Sequence, residues 1–289
     1  MSSKVAVVTD SNSGITQKQA SAYGVSVLPM PFLIEGQTYY EDITLTQEEF
    51  YQRLNDDVNI STSQPSPEEV MAIWDKALDT ADEVVYIPMS SGLSGSCQTA
   101  LLLAENYDGA VQVVNNQRIS VTQKQSVRDA VSLAQKGWNA GAIKEKLEQE
   151  KMESSIYIML DTMKYLRKGG RITPAAAALG MALRLKPVLQ IQGEKLDAFA
   201  IAKTSKKGIA KMLDAMADDI ENRFGGVENV TLHVAHTKNE EMAQQFCHTI
   251  RDKFGLTGDI VMDPLSLSVS CHIGPGALAI ACSKKIEVL

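Results

Sequence analysis

The stretch VVYIPMSSGLSGSCQTA, residues 84–100, decides the fold of the first half of this chain. It begins with a short apolar run typical of a buried strand, continues through a loop of serine and glycine, and ends in a helix-like segment. The same order of strand, polar turn and helix opens the chain at residues 4–23. Strands that are buried on both faces and alternate with helices predict a parallel sheet in an α/β layer.

The rest of the sequence extends this alternation and then changes it. Further strand-like runs lie at 25–28, 32–34 and 111–115, and helical patterns lie at 46–54, 67–80, 98–107 and 123–136. From residue 155 the pattern includes a hairpin at 187–201 and a long amphipathic helix at 206–224. The predicted fold class is therefore α/β, with an N-terminal doubly wound parallel-sheet domain at 1–160 and a second α/β domain with a mixed sheet at 161–289.

Composition excludes several classes of function. The 289 residues carry a net charge of −7, which argues against nucleic acid as a partner. We expect a cytoplasmic protein, because the sequence opens on a strand without a secretion signal and the four cysteines form no C-x-x-C pair. No metal site is expected, since His233 and His236 are three apart on a predicted strand and face opposite sides.

Two polar loops are candidates for binding an anion. Residues 90–96 join a strand to a helix, so backbone N–H groups and the Ser94 hydroxyl can face a carboxylate or phosphate; the alternative is that these serines only cap the helix. In the loop at 61–69, Ser66 and Glu69 form a capping box behind Pro67. That box does not involve Thr62, whose hydroxyl could point into a binding site, although the spacing alone favours a loop without function.

Two further segments carry groups that suit an anionic ligand. His272 precedes a Gly-Pro-Gly turn, where it either bonds a ligand or is a satisfied structural histidine. Residues 164–171 gather four cations: Arg171 could reach a ligand, while Lys164, Arg167 and Lys168 could dock an acidic partner or form a solvated turn. The small side chains at 174–183 either permit close helix packing or leave room for a long apolar ligand.

Taken in order, VTDS at 8–11, TSQPSP at 62–67, SSGLSGSCQTA at 90–100, KGGRI at 168–172 and HIGPGAL at 272–278 resemble the DegV family, the fatty-acid-binding subunits of bacterial fatty acid kinase. The resemblance implies two α/β domains that enclose one long-chain fatty acid. It also implies no catalysis of the chain's own, no cofactor beyond the bound fatty acid, transient contact with a membrane, and a fatty acid kinase subunit that makes the acyl phosphate for phospholipid synthesis.

By the same resemblance, Thr62 and Ser94 bind the carboxylate, and His272 and Arg171 complete the polar end. The chain departs from the family pattern at Gly14, Ser96, Cys97, Asn115, Asn116 and Ala279. Two rival functions remain at this point. One is a phosphotransfer enzyme or carrier that uses His272 or Ser94 on a small molecule, and the other is a binding module for a different anionic apolar ligand.

Overall fold

The computed structural model describes residues 3–55, 59–169, 171–179 and 185–286, without the side chains at 55, 167–169 and 179. Internal contacts divide the chain into two compact units. The first contains Met1–Met152, Ser266–Ser268 and Ile286–Leu289, and the second contains Glu153–Leu265 and Val269–Lys285. This division differs from the predicted boundary at 160 by one strand, because the strand at 154–159 pairs within the sheet of the second unit.

Strands of the first unit form a parallel sheet and a small antiparallel one. In chain order they are β1 Val5–Asp10, β2 Val25–Leu28, β3 Pro31–Ile34, β4 Gln37–Tyr40, β5 Ile60–Thr62, β6 Glu83–Ile87 and β7 Val111–Val113. The order β2-β1-β6-β7 is parallel throughout. The run at 32–34, expected to extend this sheet, instead lies at the centre of the antiparallel order β4-β3-β5. Only two residues separate β2 from β3, too few for a parallel crossover.

Helices cover both faces of the parallel sheet. They are α1 Gln17–Tyr23, α2 Gln47–Asn55, α3 Pro67–Leu78, α4 Ser96–Ala104, α5 Ser120–Gln135 and α6 Ala140–Gln149. Neighbouring residues of β1 belong to different cores: Val7 packs in a cluster with residues of α5 and α6, and Val8 packs in another with Trp74 of α3. The predicted doubly wound arrangement is confirmed, and α6 is an element that the sequence pattern had not indicated.

The second unit is built on a mixed sheet. Its strands are β8 Ser154–Met159, β9 Lys186–Ile191, β10 Asp197–Ala202, β11 Val230–His236, β12 Val261–Pro264 and β13 Leu278–Lys284, and its sheet order is β10-β9-β8-β13-β11-β12. Only the β11–β12 pair is parallel among these neighbours. The predicted hairpin is the antiparallel β9–β10 pair, and the predicted mixed sheet is confirmed.

The helices described in the second half of the chain are α7 Lys164–Gly169, α8 Pro174–Leu179, α9 Ser205–Asn222, α10 Glu240–Phe254 and α11 Leu267–Ile273. The long amphipathic helix expected at 206–224 is α9, which buries Met212, Met216 and Ile220 in the core of the second unit. Across the described ranges, no helix combines the length and the apolar character needed to cross a bilayer.

Candidate functional site

The loop that follows β6 is shaped by its own serines. The carbonyl oxygen of Ser90 accepts the N–H of Leu93 at 3.0 Å and that of Ser94 at 3.2 Å. The hydroxyl of half-buried Ser94 accepts the N–H of Ser96, the first residue of α4, at 3.2 Å. Because a hydroxyl that accepts one hydrogen bond still has a proton to donate, Ser94 can help to cap α4 and bind an anion at the same time.

A second hydroxyl-bearing loop lies beside it within the first unit. Thr62 is the last residue of β5, and the chain after it reaches α4, where the Oε1 atom of Gln64 accepts the hydroxyl of Thr99 at 3.1 Å. A Cβ atom at Gly95 would lie 3.6 Å from the same oxygen. The predicted capping box of α3 is present, since the N–H of Glu69 donates to the Ser66 hydroxyl at 3.2 Å. The fold thus brings together the two loops that carry Thr62 and Ser94.

In the second unit, a close approach of backbone and ring joins the His272 segment to the basic segment. Gly274 has φ of +76°, which L side chains rarely adopt, and a Cβ atom there would lie 2.2 Å from Cδ2 of Tyr165. Tyr165 belongs to α7, the helix that precedes Arg171 in the sequence. Only glycine therefore lets α7 pack on the turn after His272.

The electrostatic state of His272 follows from its burial and from the Arg171 charge. Burial lowers the pKa of His272, and the neighbouring Arg171 guanidinium lowers it further, to about 4. Its imidazole ring is therefore neutral near pH 7 and can donate one N–H, while Arg171 supplies a permanent positive charge. A neutral donor beside a fixed cation is an arrangement suited to a carboxylate or a phosphate.

Besides Arg171, the basic segment at 164–171 contains Lys164, Arg167 and Lys168, and the structure describes only the Lys164 side chain among these three. Lys164 is exposed, and its Nζ atom lies 5.6 Å from the centre of the Tyr165 ring. The side chains of Arg167 and Lys168 fall outside the described part of the chain. Along the small-residue helix α8, Ala176 is buried and Ala178 is exposed, so the expected room for an apolar ligand remains a prediction.

A buried carboxyl group that the sequence analysis did not single out holds the start of the Ser94 loop. Asp10, the last residue of β1, accepts the N–H of Met89 at 2.8 Å and Nε2 of Gln123 at 3.1 Å. Burial raises the pKa of Asp10 to about 6, although these hydrogen bonds act to lower it. Its position could have been anticipated, because the carboxyl ends of the parallel strands β1 and β6 lie at one edge of the sheet.

Neither cysteine nor metal chemistry gains support from the described residues. Cys97 is fully buried, and burial raises the pKa of its thiol to about 12, which opposes formation of a reactive thiolate. Within the described ranges no group of three or more His, Cys, Asp or Glu side chains is arranged to hold a metal ion.

Known proteins share both the sequence pattern and the fold of this chain. The family model described as "Uncharacterised protein, DegV family" matches residues 4–285. A DegV domain-containing protein of Deinococcus radiodurans is 32% identical over 279 residues, covering 96% of this chain and 97% of the relative.

Two solved structures with similar folds carry a description of what they bind. A fatty-acid-binding DegV family protein from Thermus thermophilus has a TM-score of 0.86 and 28% identity, covering 98% of this chain and 100% of that one. DegV of Bacillus subtilis, described as a fatty-acid-binding protein, has a TM-score of 0.85 and 25% identity over the same shares. Both span essentially the whole length of this chain.

Proposed function

Because this chain belongs to the DegV family, we propose that it binds a long-chain fatty acid and presents the carboxylate to a separate ATP-dependent kinase for acyl-phosphate formation. In this proposal the chain has no catalysis of its own. The two similar structures described as fatty-acid-binding proteins support the ligand class. A long acyl chain also supplies the driving force, since burial of each CH₂ group contributes about 0.8 kcal/mol.

The Arg171–His272 pair is the observation that carries the proposal. The imidazole of His272 is half-buried, and both burial and the neighbouring guanidinium lower its pKa, so the pair combines a neutral donor with a fixed positive charge. A bound carboxylate would interact favourably with the Arg171 charge and accept an N–H from His272. We also assign Thr62 and Ser94, which lie on adjoining loops of the first unit, as hydroxyl donors to the fatty-acid carboxylate, because the resemblance to the family implies this role.

Removing one hydroxyl donor is expected to weaken fatty-acid binding without unfolding the protein. Thr62→Ala and Ser94→Ala should each cost about 1 to 3 kcal/mol in affinity, because each leaves a buried anion with one hydrogen bond fewer. Titration with a fluorescent acyl probe measures this effect.

The matched controls are Ser61→Ala on β5 and Ser91→Ala in the loop, which remove a hydroxyl close to each site residue in sequence. Thermal unfolding of all four variants separates a binding defect from misfolding. If Thr62→Ala and Ser94→Ala bind the probe as tightly as their controls, these two hydroxyls do not hold the carboxylate.

Mass spectrometry of freshly purified, denatured protein distinguishes ligand binding from phosphotransfer. A co-purified fatty acid of about fourteen to eighteen carbons is the result expected here, since such a chain buries enough CH₂ groups to remain bound through purification. A phosphoryl group on His272 or Ser94 would instead support the rival phosphotransfer function. A different anionic apolar molecule would support the rival binding module.

The kinase step adds a docking surface to the proposal. We assign Lys164, Arg167 and Lys168 as a basic surface that meets an acidic region of the kinase, since they precede Arg171 in the chain. Arg167→Glu combined with Lys168→Glu is expected to reduce acyl-phosphate formation by an added kinase, most strongly at low salt. Coupled turnover at several ionic strengths measures the effect.

Acyl-probe binding by the same preparations is the control for this variant. It should stay near that of the wild type, because neither residue is assigned to the carboxylate. Loss of both turnover and probe binding would indicate misfolding or a ligand-site defect. Turnover that is unchanged at every ionic strength would leave the basic segment as a solvated turn.

A further inference from the structure

Late in its sequence the chain returns to the first unit for three residues, Ser266–Ser268, which we call the return segment. Each of the three is held there. The Oδ1 atom of Asn12 accepts the hydroxyl of Ser266 at 3.1 Å and also that of Ser268. The Oε2 atom of Glu41 accepts the N–H of Leu267 at 2.8 Å. The side chains of Asn12 and Glu41 thus hydrogen-bond to a segment that lies more than 220 residues later in the chain.

Asn12 is itself fixed on both sides. It is buried, with 1% of its surface exposed, in a 3₁₀ turn after β1. Its backbone N–H donates to Oδ1 of Asp10 at 2.9 Å, and its Nδ2 atom lies 2.9 Å from the sulfur of Met89. The return segment is therefore bonded to Asn12, which is itself bonded to Asp10 and to Met89 at the start of the Ser94 loop.

The return segment leads directly into the helix that carries a ligand residue. Leu267 is the first residue of α11, and His272 lies in the last turn of this seven-residue helix. We propose that Asn12 and Glu41 are positioning residues that clamp the return segment and thereby fix the helix bearing His272. This inference rests on the proposed function, because positioning matters only if His272 binds the carboxylate.

Glu41 gives the clamp a titratable partner. Its carboxyl group is buried, although the residue retains some exposed surface, and burial raises its pKa to about 7. The Leu267 N–H and the Gln47 amide lower this pKa, and the Asp42 carboxylate raises it. Two nearby groups have a pKa below 7. Asp10, which bonds to Asn12, has a pKa of about 6, and His272 on α11 has a pKa of about 4.

The sign of the pH dependence follows from the direction of the Glu41 shift. When the return segment leaves, Glu41 becomes hydrated and its pKa falls toward the ordinary value of 4.5. The clamped state therefore binds the proton more tightly, so its stability is greatest at low pH and is lost as the pH rises through about 7. The equilibrium constant for release should be about tenfold larger at pH 8 than at pH 6.

Hydrogen exchange of the ligand-free protein tests the clamp directly. After correction for intrinsic rates, the amides of the return segment and α11 should exchange about tenfold faster at pH 8 than at pH 6 in the wild type. Glu41→Gln keeps an acceptor for the Leu267 N–H and removes the titration, so this difference should disappear. The exposed Glu48→Gln is the charge-matched control and should behave as the wild type.

Release of a preloaded acyl probe extends the test to function. Release should be faster at pH 8 than at pH 6 in the wild type and Glu48→Gln, and independent of pH in Glu41→Gln. If the wild type binds no acyl probe, the proposed function fails while the exchange measurement still decides the clamp. If Glu41→Gln and wild type share one exchange profile across this range, the role of Glu41 is overturned.

A double substitution, Ser266→Ala with Ser268→Ala, tests the hydrogen bonds between the return segment and Asn12. It leaves Asn12 and its contacts with Asp10 and Met89 in place. We expect faster exchange of α11 at both pH values and weaker probe binding, with the pH dependence from Glu41 retained. Each substitution removes one hydroxyl group that donates to Oδ1 of Asn12, and the change in volume is small because only an oxygen atom is lost. Exchange and binding equal to the wild type would overturn the role of Asn12.

Discussion

Replacement of Gly274 by alanine should destabilise the protein by about 2 to 5 kcal/mol and abolish tight fatty-acid binding. The left-handed backbone at φ +76° costs a residue with a Cβ atom about 1 to 2 kcal/mol. The Cβ would also lie 2.2 Å from the Tyr165 ring, and such overpacking costs about a further 1 to 3 kcal/mol. Displacement of α7 would alter the approach of Arg171 to His272. Urea unfolding and acyl-probe titration measure the two effects.

The chain offers a matched control for the backbone cost. Gly255 has a similar φ of +65°, but a Cβ atom there would meet nothing within 4 Å. Gly255→Ala should therefore lose only about 1 to 2 kcal/mol and bind the probe normally. In the Tyr165→Ala background, Gly274→Ala should cost no more than Gly255→Ala does in the wild type. Equal losses for the two single variants would mean that the Tyr165 contact does not constrain the turn.

Removal of the Arg171 charge should produce the largest direct loss of ligand affinity. Arg171→Gln is expected to weaken acyl-probe binding about tenfold to a hundredfold, because a charge-assisted hydrogen bond to a carboxylate contributes about 1.5 to 3 kcal/mol. The same substitution should raise the pKa of His272 above about 4, since the guanidinium is one of the two causes that lower it. Burial should still keep this pKa below its ordinary value of 6.5.

Lys164→Gln is the control for this experiment, because it removes an exposed cation from the same segment that is not assigned to the carboxylate. It should leave probe affinity and the His272 titration near those of the wild type. Proton NMR of the histidine ring signals at several pH values reports the titration. A change in affinity of the same size in both variants would indicate a general effect of charge and remove Arg171 from the ligand end.

Much of the fold follows from local pattern. The alternation of buried strands and helices predicts a parallel sheet, which the structure confirms, and the residues around Ser66 are enough to identify the start of α3. The capping box and the alternation of strands and helices are local patterns, so the sequence carries their signal directly. The order of the strands is not local, since Val5 of β1 pairs with Glu83 of β6. The prediction for β3 was wrong, although its two-residue link to β2 excludes a parallel crossover and could have shown this.

The candidate site could likewise be predicted from the sequence only in part. Hydroxyl, imidazole and guanidinium groups in glycine-rich loops are visible as residue types, which is why Thr62, Ser94, Arg171 and His272 could be named from the sequence. Their electrostatic state could not, because the low pKa of His272 arises from burial and from a residue about a hundred positions away.

Tertiary structure alone decided how distant segments hold these groups. Asn12 and Glu41 bond to the return segment across more than 220 residues, and the Tyr165 ring fills the space that a side chain at Gly274 would need. Neither contact leaves a periodic or spacing signal in one sequence, since any polar or small residue can occupy a loop. Hydrogen bonds and steric fit depend on atomic positions within about an ångström, and those positions are set only when the whole chain has packed.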